Sequence, residues 1–409
     1  MGNGSTLYRG GLVFDGLGAP KDGLGVLVEG DRIAAVEPVA NFAGHAGEVV
    51  DTAGATLMPG LMDCHVHILY GAEGNPGDAA EKLTASALTL KGMENARRTL
   101  EGGIVAIRDC GGKDYIDLDV RDALNAKRFP GPVMRASGKM ICMTGGHGNR
   151  NGIVADGCDA VIKAVRTNVH MNVDVIKIMA TGGVMTPGVN PEDAHYSAEE
   201  MKAGVKEARR FNKRTASHAQ GAEGILNAVR AGIHSIEHGI FMNEQCIREM
   251  IDGDTFLVPT LAAVKNIINN RHLGIPDWAV EKSLRVYDVH LASFKAFHEA
   301  GGKIAMGTDA GTPFNRHGEN VQELRWMVEA GMTPLEALIA GTSNAAELIE
   351  PGERGVIAKD KVADLLLVRG NPAENIDMAG EKANHLMVIK DGAAVVDRRG
   401  EEALAAAAE

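Results

Sequence analysis

From about residue 57 to residue 350, short strand-like runs alternate with helical segments eight times, and this repeat constrains the fold more than any other feature of the chain. Candidate strands cover 56–64, 104–109, 133–141, 173–180, 214–218, 235–238, 256–261 and 303–309, most of them dense in Val, Ile, Leu or Met. Helical patterns fall between them, for example over 81–100 and 197–211. Two helix starts carry capping boxes, Ser197 with Glu200 and Thr333 with Glu336, the second with Pro334 at the first helical position. Eight βα units over roughly 290 residues predict an α/β chain folded as a (β/α)8 (TIM) barrel rather than an open doubly wound sheet. No G-x-G-x-x-G or Walker pattern follows any of these strands, which removes the dinucleotide reading.

Both ends of the chain read differently. Apolar runs over 7–14 and 25–36 are separated by Gly and Asp turns, and the style returns over 362–368, 385–389 and 393–396, with a turn at Lys390-Asp391-Gly392. Residues 1–57 and 353–409 are therefore expected to form one small β-sandwich domain beside a barrel of 58–352. A length of 409 residues suits a barrel of about 250 residues plus such a module. The Ala-rich run over 403–408 reads as a frayed helical tail.

Composition narrows the partners. A formal net charge of −12, with no Lys/Arg cluster, argues against nucleic acid, whose phosphates need a basic face. No apolar stretch approaches the ~18 residues of a membrane helix, and no basic segment followed by an apolar run opens the chain, so a cytoplasmic protein is expected. The start matches the loose myristoylation pattern at Gly2, but a strand expected directly afterwards would leave a modified Gly2 little tether. Five scattered cysteines, never spaced CxxC, fit neither a disulfide framework nor a Cys-rich zinc site and read as buried, reduced thiols.

The residues that carry chemistry sit at strand ends. His65 and His67 lie two apart on the first strand, so both imidazoles face the same side. His218 ends the fifth strand, His238 the sixth and Asp309 the eighth. In a barrel these ends share the C-terminal rim, where imidazoles with a carboxylate suit zinc and related divalent ions. Lys177 interrupts an apolar fourth strand. Such a lysine either snorkels to solvent or, desolvated beside cations, becomes a neutral amine able to add CO2 and form a metal-bridging carbamate.

The motifs Pro59-Gly60-Leu61-Met62-Asp63-Cys64-His65-Val66-His67, Thr144-Gly145-Gly146-His147-Gly148, Ile176-Lys177-Ile178-Met179, Ser235-Ile236-Glu237-His238-Gly239 and Gly307-Thr308-Asp309-Ala310-Gly311 together resemble the amidohydrolase superfamily. Within it they are most similar to the branch of prolidase-like dipeptidases and carboxypeptidases related to imidazolonepropionase. The resemblance implies two divalent metal ions, expected to be Zn2+. His65, His67 and Asp309 would hold one and His218 and His238 the other, bridged by carbamylated Lys177. It further implies attack on a small amide by a metal-bridging hydroxide, with Asp309 as general base passing the proton to the leaving amine. Expected substrates are Xaa-Pro or other dipeptides and N-acyl amino acids. Alternatives are xenobiotic amides, ureas or carbamates such as ochratoxin A, a mononuclear cyclic-amide hydrolase like imidazolonepropionase, and a metal-free scaffold. A homo-oligomer is expected from the family alone.

His147, in the Gly-rich loop after the third strand, is expected to contact the substrate. Gln220 stands where many prolidase-like relatives carry a tyrosine, and its amide can donate to an oxyanion. Arg108 and Asp109 are read as a structural ion pair beneath the site. For His317, Glu319 and Asn320 a helix start and a substrate contact stand side by side. His45, His170, His195, His234, His272, His290, His298 and His385 are assigned to packing or solvent.

Overall fold

A computed structural model describes residues 4–400. Gly2 and the Ala-rich run over 403–408 lie outside the described residues.

Two sheets are assembled from the two ends of the chain. One has four strands in the order Arg32–Pro38, Leu24–Glu29, Ser5–Arg9, Glu48–Asp51. The other has five, in the order Ala393–Asp397, His385–Lys390, Leu365–Arg369, Ala55–Pro59, Leu12–Val13. Alternate residues of both sheets, among them Val26, Ile33, Leu57, Leu365 and Ile389, are buried in one shared apolar cluster.

Between them, parallel strands alternate with helices. Leu61–Val66, Ile104–Asp109 and Val133–Ala136 pair in parallel. Val175–Met179, Arg214–Ala219, Ser235–His238 and Phe256–Val258 do the same. Asp174 N donates to Ala136 O at 2.9 Å, linking the two groups. The segment 303–310 bonds on one side to Leu257 (Leu257 N to Lys303 O 2.9 Å, Ala305 N to Leu257 O 3.0 Å). On its other side Cys64 N donates to Met306 O at 2.9 Å and Asp309 N to His65 O at 2.7 Å. The seventh strand is thereby tied back to the first.

The helices cover these strands for ordinary reasons. Ala198–Arg210 buries Met201, Gly204, Val205 and Ala208, a stripe at helical spacing. Both capping boxes are formed, Ser197 with Glu200 and Thr333 with Glu336. The helix expected over 81–100 starts later, at Ala85, where the Thr84 side chain accepts from Ala87 N, and a short helix Pro76–Glu81 precedes it.

Several expectations are corrected. The run 56–64 is two strands. Ala55–Pro59 pairs antiparallel with Leu365–Arg369, and only Leu61–Val66 joins the parallel array. They part at Gly60, where a Cβ would lie 2.3 Å from Val105 Cγ1. The run 133–141 breaks after Ala136, with Gly138 in the left-handed region (φ 62°). The seventh strand ends at Val258, and Leu261 already opens a helix. The run expected as a strand over 303–309 makes only an isolated bridge at Ile304, with another at Ala310 just beyond it, instead of a regular strand. Cys64, Cys110, Cys142 and Cys246 are buried as expected, but Cys158 is exposed, and all five are free.

Arg108 and Asp109 do not pair, because neighbouring residues on a strand point to opposite faces. Arg108 Nη2 instead meets Glu237 Oε1 at 2.7 Å, while Asp109 accepts from Ile68 N (2.6 Å) and Gly111 N (2.9 Å).

Candidate metal centre and active-site cavity

The strand ends converge on one cavity of about 480 Å3, lined by His65, His67, Lys177, His218, His238 and Asp309, and by His147 and Gln220. The ring centroids of His65 and His67 are 5.5 Å apart, those of His65 and His238 5.1 Å, and those of His218 and His238 4.6 Å. His147 stacks obliquely on His218 at 4.4 Å.

Each imidazole has one ring nitrogen engaged by the protein. His65 Nδ1 donates to Glu237 Oε2 (2.8 Å), His67 Nδ1 to Gly111 O (3.0 Å) and His218 Nε2 to Gly182 O (2.8 Å). Carbonyl and carboxylate oxygens only accept, so these nitrogens carry the proton and the opposite nitrogen keeps its lone pair. His238 Nδ1 bonds Thr260 Oγ1 and His147 Nδ1 bonds Thr186 Oγ1, both at 2.6 Å.

Electrostatics favours the neutral rings. Burial, then the charges of Lys177 and His67, hold His65 well below the usual imidazole value. Burial also leads for His218 and His238, followed by neighbouring imidazoles and Lys177. Burial and His195 push His147 down to about 3. His67 is the exception: burial lowers it, but the Asp309 carboxylate more than offsets this and raises it. A neutral imidazole is the form that binds a metal.

Asp309 supplies the carboxylate. Its Oδ1 lies 3.2 Å from His67 Nε2 and 3.5 Å from His65 Nε2, yet this buried oxygen has no hydrogen-bond partner. A buried anionic oxygen facing imidazole lone pairs is the donor set a divalent cation satisfies. Ligand atoms of His65, His238 and Asp309 all lie within 4.8 Å of one another. A second group, His65, Cys110 and Glu237, is equally compact, but Glu237 already serves Arg108 and burial pushes the Cys110 thiol up to about 12. The residues present fit a metal at the first group.

Backbone conformation sharpens the placement. His238 (φ 72°) and Asp309 (φ 61°) both sit in the left-handed region, and so does Thr260 (φ 54°), the partner of His238. Such positions turn the chain out of the strand just where the side chain meets the cavity.

A family model described as the amidohydrolase family matches residues 56–395. The chain belongs to the amidohydrolase family. It is accordingly a hydrolytic enzyme of C–N bonds. It is similar to proteins of known structure along nearly its whole length. A Xaa-Pro dipeptidase with methionine bound in its active site is 31% identical, with a TM-score of 0.88, covering 95% of this chain and 99% of that one. A prolidase complexed with N-methylphosphonate-L-proline is 30% identical with a TM-score of 0.87, covering 96% and 100%. Ochratoxinase of Aspergillus niger is 30% identical over 423 residues, 95% of this chain and 86% of that protein. The likeness gives this amidohydrolase the α/β barrel fold of its neighbours.

Several supporting residues escaped the sequence reading. Glu237, buried on the sixth strand, holds His65, Arg108 and Ser235 at once. Burial lowers Arg108, but the Glu237 carboxylate raises it further than burial depresses it, so it stays charged. Asp63 accepts from His65 N (3.0 Å), Thr308 Oγ1 (2.5 Å) and Asn320 Nδ2 (2.7 Å), tying the first strand to the segment bearing Asp309. Desolvation pushes Asp63 up to about 6. A charged residue inside each apolar strand was the available signal. Asn320 and His317, which reaches His67 O at 3.2 Å, support the first strand, and Glu319 pairs with Lys382. His290 is buried against His238 O at 3.0 Å and reaches the cavity wall.

Proposed function

We propose that this chain is a binuclear metal-dependent hydrolase of amide bonds in small substrates such as Xaa-Pro or other dipeptides and N-acyl amino acids. The reading is carried by one observation: four imidazoles, Lys177 and Asp309 line a single cavity, and Asp309 Oδ1 there is buried without a hydrogen-bond partner. In this proposal His65, His67 and Asp309 hold one zinc ion, and His218 and His238 the other. Lys177 is buried in the same wall, where an ammonium group would repel both cations. Addition of CO2 to its neutral amine, with loss of a proton, replaces that charge by an anion with two oxygens, which favours Lys177 as the bridge.

When bound, the metal ions supply Lewis acidity and bring a water toward neutral pKa. Asp309 would take the water's proton at the carboxylate oxygen not engaged by the metal and return it to the leaving amine. His147, with Nδ1 engaged by Thr186, turns Nε2 to the substrate. Gln220 is buried in the cavity wall, where its amide nitrogen would donate to the carbonyl or carboxylate oxygen.

Around the site, we take the parallel strands and segment 303–310 as a closed barrel of residues 58–352, with the described parts of 1–57 and 353–409 as a separate β module. Among the described residues no helix is long and apolar enough to cross a membrane. Free, dispersed cysteines favour a reducing, cytoplasmic setting. A second reading, hydrolysis of xenobiotic amides, draws on the likeness to ochratoxinase.

The test is a dipeptide and N-acyl amino-acid library screened on zinc-loaded protein, with metal content measured. About two metal equivalents per chain and release of a free amino acid are expected. Lys177→Ala should lose metal and turnover together, while Asp309→Asn should stay folded and lose about 10²- to 10⁴-fold in kcat. One equivalent, or unchanged turnover in Asp309→Asn, refutes the two-metal mechanism.

A further inference from the structure

The cavity lining is chemically divided. Tyr70, Asn149, Arg150 and Asn151 contribute polar groups to it. Val184, Met185, Ile240, Val264, Ile267 and Trp278 also line it, and they pack as one apolar cluster separate from the main core. Two of these, Val184 and Met185, ride on the loop between the fourth strand and the helix Ala198–Arg210, a segment without regular structure of its own.

That loop is held from outside by one helix. Lys282, on Asp277–Glu299, donates to the carbonyls of Thr186 (2.7 Å), Val189 (2.6 Å) and Gly183 (3.3 Å). Its ammonium also lies 5.3 Å from the Trp278 ring, one turn back. One turn on, Arg285 pairs with Glu192, with one contact at 3.0 Å. The same loop carries Thr186, whose hydroxyl holds His147 Nδ1, and Gly183, where a Cβ would lie 2.7 Å from His147 Nε2. A single ammonium thus gathers three loop carbonyls, supports the tryptophan of the wall and fixes the residue that orients His147.

We propose that the apolar side of the cavity is a subsite for a bulky hydrophobic group of the substrate, and that Lys282 is the positioning residue that keeps its loop half in place. The proposal rests on the amide-hydrolase reading and specifies its substrate: an amide with an aryl or branched alkyl group on one side of the scissile bond and polar groups on the other. Apolar pockets discriminate by bulk because each buried methylene adds to binding, whereas a polar pocket gains nothing from it. Lys282 touches no substrate in this arrangement. It acts through the loop, so its removal should weaken recognition of bulk more than the chemistry itself.

The experiment uses zinc-loaded full-length protein with N-acetylglycine, N-acetylleucine and N-acetylphenylalanine, and with N-benzoylglycine for bulk on the acyl side. In one direction kcat/KM should rise by about tenfold to two-hundredfold from the smallest to the bulkiest amide. Lys282→Met should lose about tenfold of that preference, mainly through KM, and Lys282→Arg should restore part of it. Binding is read separately by emission of Trp278, one of two tryptophans in the chain, during titration with 3-phenylpropionate and with acetate. The aryl acid should bind about tenfold more tightly, and Val264→Ala, which trims the wall without touching the clasp, should weaken it. A flat or inverted series among hydrolysed amides, or equal binding of the two acids, overturns the subsite. If no amide is hydrolysed while 3-phenylpropionate still binds more tightly, the amide-hydrolase reading falls and the subsite stands.

Discussion

Glu237→Gln is the substitution that separates support of the candidate metal centre from the candidate ligands themselves. Glu237 is fully buried. One carboxylate oxygen takes Arg108 Nη2 at 2.7 Å and Ser235 Oγ at 2.6 Å, and the other takes His65 Nδ1 at 2.8 Å. Glutamine keeps the shape but removes the charge, leaving the guanidinium of Arg108, itself 1% exposed, without an anion. Breaking a buried pair from one side costs about 3–5 kcal/mol. At roughly 2 °C per kcal/mol for a chain above 250 residues, the melting temperature should fall by about 6–10 °C. His65 also loses its anionic partner, which, on the proposed metal centre, should weaken zinc binding about 10- to 100-fold. Urea unfolding of the metal-free protein measures the first effect, and competition with a chromophoric chelator the second. The double variant Arg108→Met, Glu237→Gln should recover part of the stability but none of the affinity, since only the stranded cation is repaired. A loss below about 1 kcal/mol in the single variant, or strict additivity in the double, would refute the reasoning.

Gly60→Ala should destabilise by about 1–3 kcal/mol, because its Cβ would meet Val105 at 2.3 Å and 2.7 Å between two packed strands; urea unfolding reads it, and a neutral result would mean the strands can part. His385, buried in the terminal five-stranded sheet, is pushed down to about 4 by desolvation, against 6.5 when unfolded. In that window the unfolded chain binds the extra proton, so stability should fall as pH drops from 6.5 to about 4, by up to about 3 kcal/mol from this residue. Unfolding at stepped pH measures it, and an unchanged slope in His385→Gln would assign the acid sensitivity elsewhere.

Much of the architecture was legible because βα alternation is written in the residue pattern itself. The candidate residues were legible for a related reason: His65, His67, His218 and His238 stand where strands run out, and Asp309 stands where segment 303–310 bonds to the first strand. Strand limits were less so. Residues 56–64 read as one strand although Pro59-Gly60 interrupts the apolar residues, and the structure parts two strands there, where Val105 closely approaches Gly60. Segment 303–310 looks like a strand but pairs irregularly, since its bonds go alternately to Leu257 and to residues 64–67. Arg108 was matched to its neighbour in sequence when its partner lies 129 positions away. Partners such as Thr260 for His238 and Thr186 for His147 come from loops whose path no local pattern encodes.

The left-handed backbone at His238 and Asp309 limits how this centre can change. Outside glycine, the residues that accept that conformation readily are Asn, Asp and His. At Asp309, then, the replacements the main chain tolerates, asparagine, histidine and glycine, discard the negative charge, while a β-branched side chain must first bend the backbone. Variation at these two corners is steered toward inactive but well-folded proteins, and new specificities are left to arise in the surrounding loops.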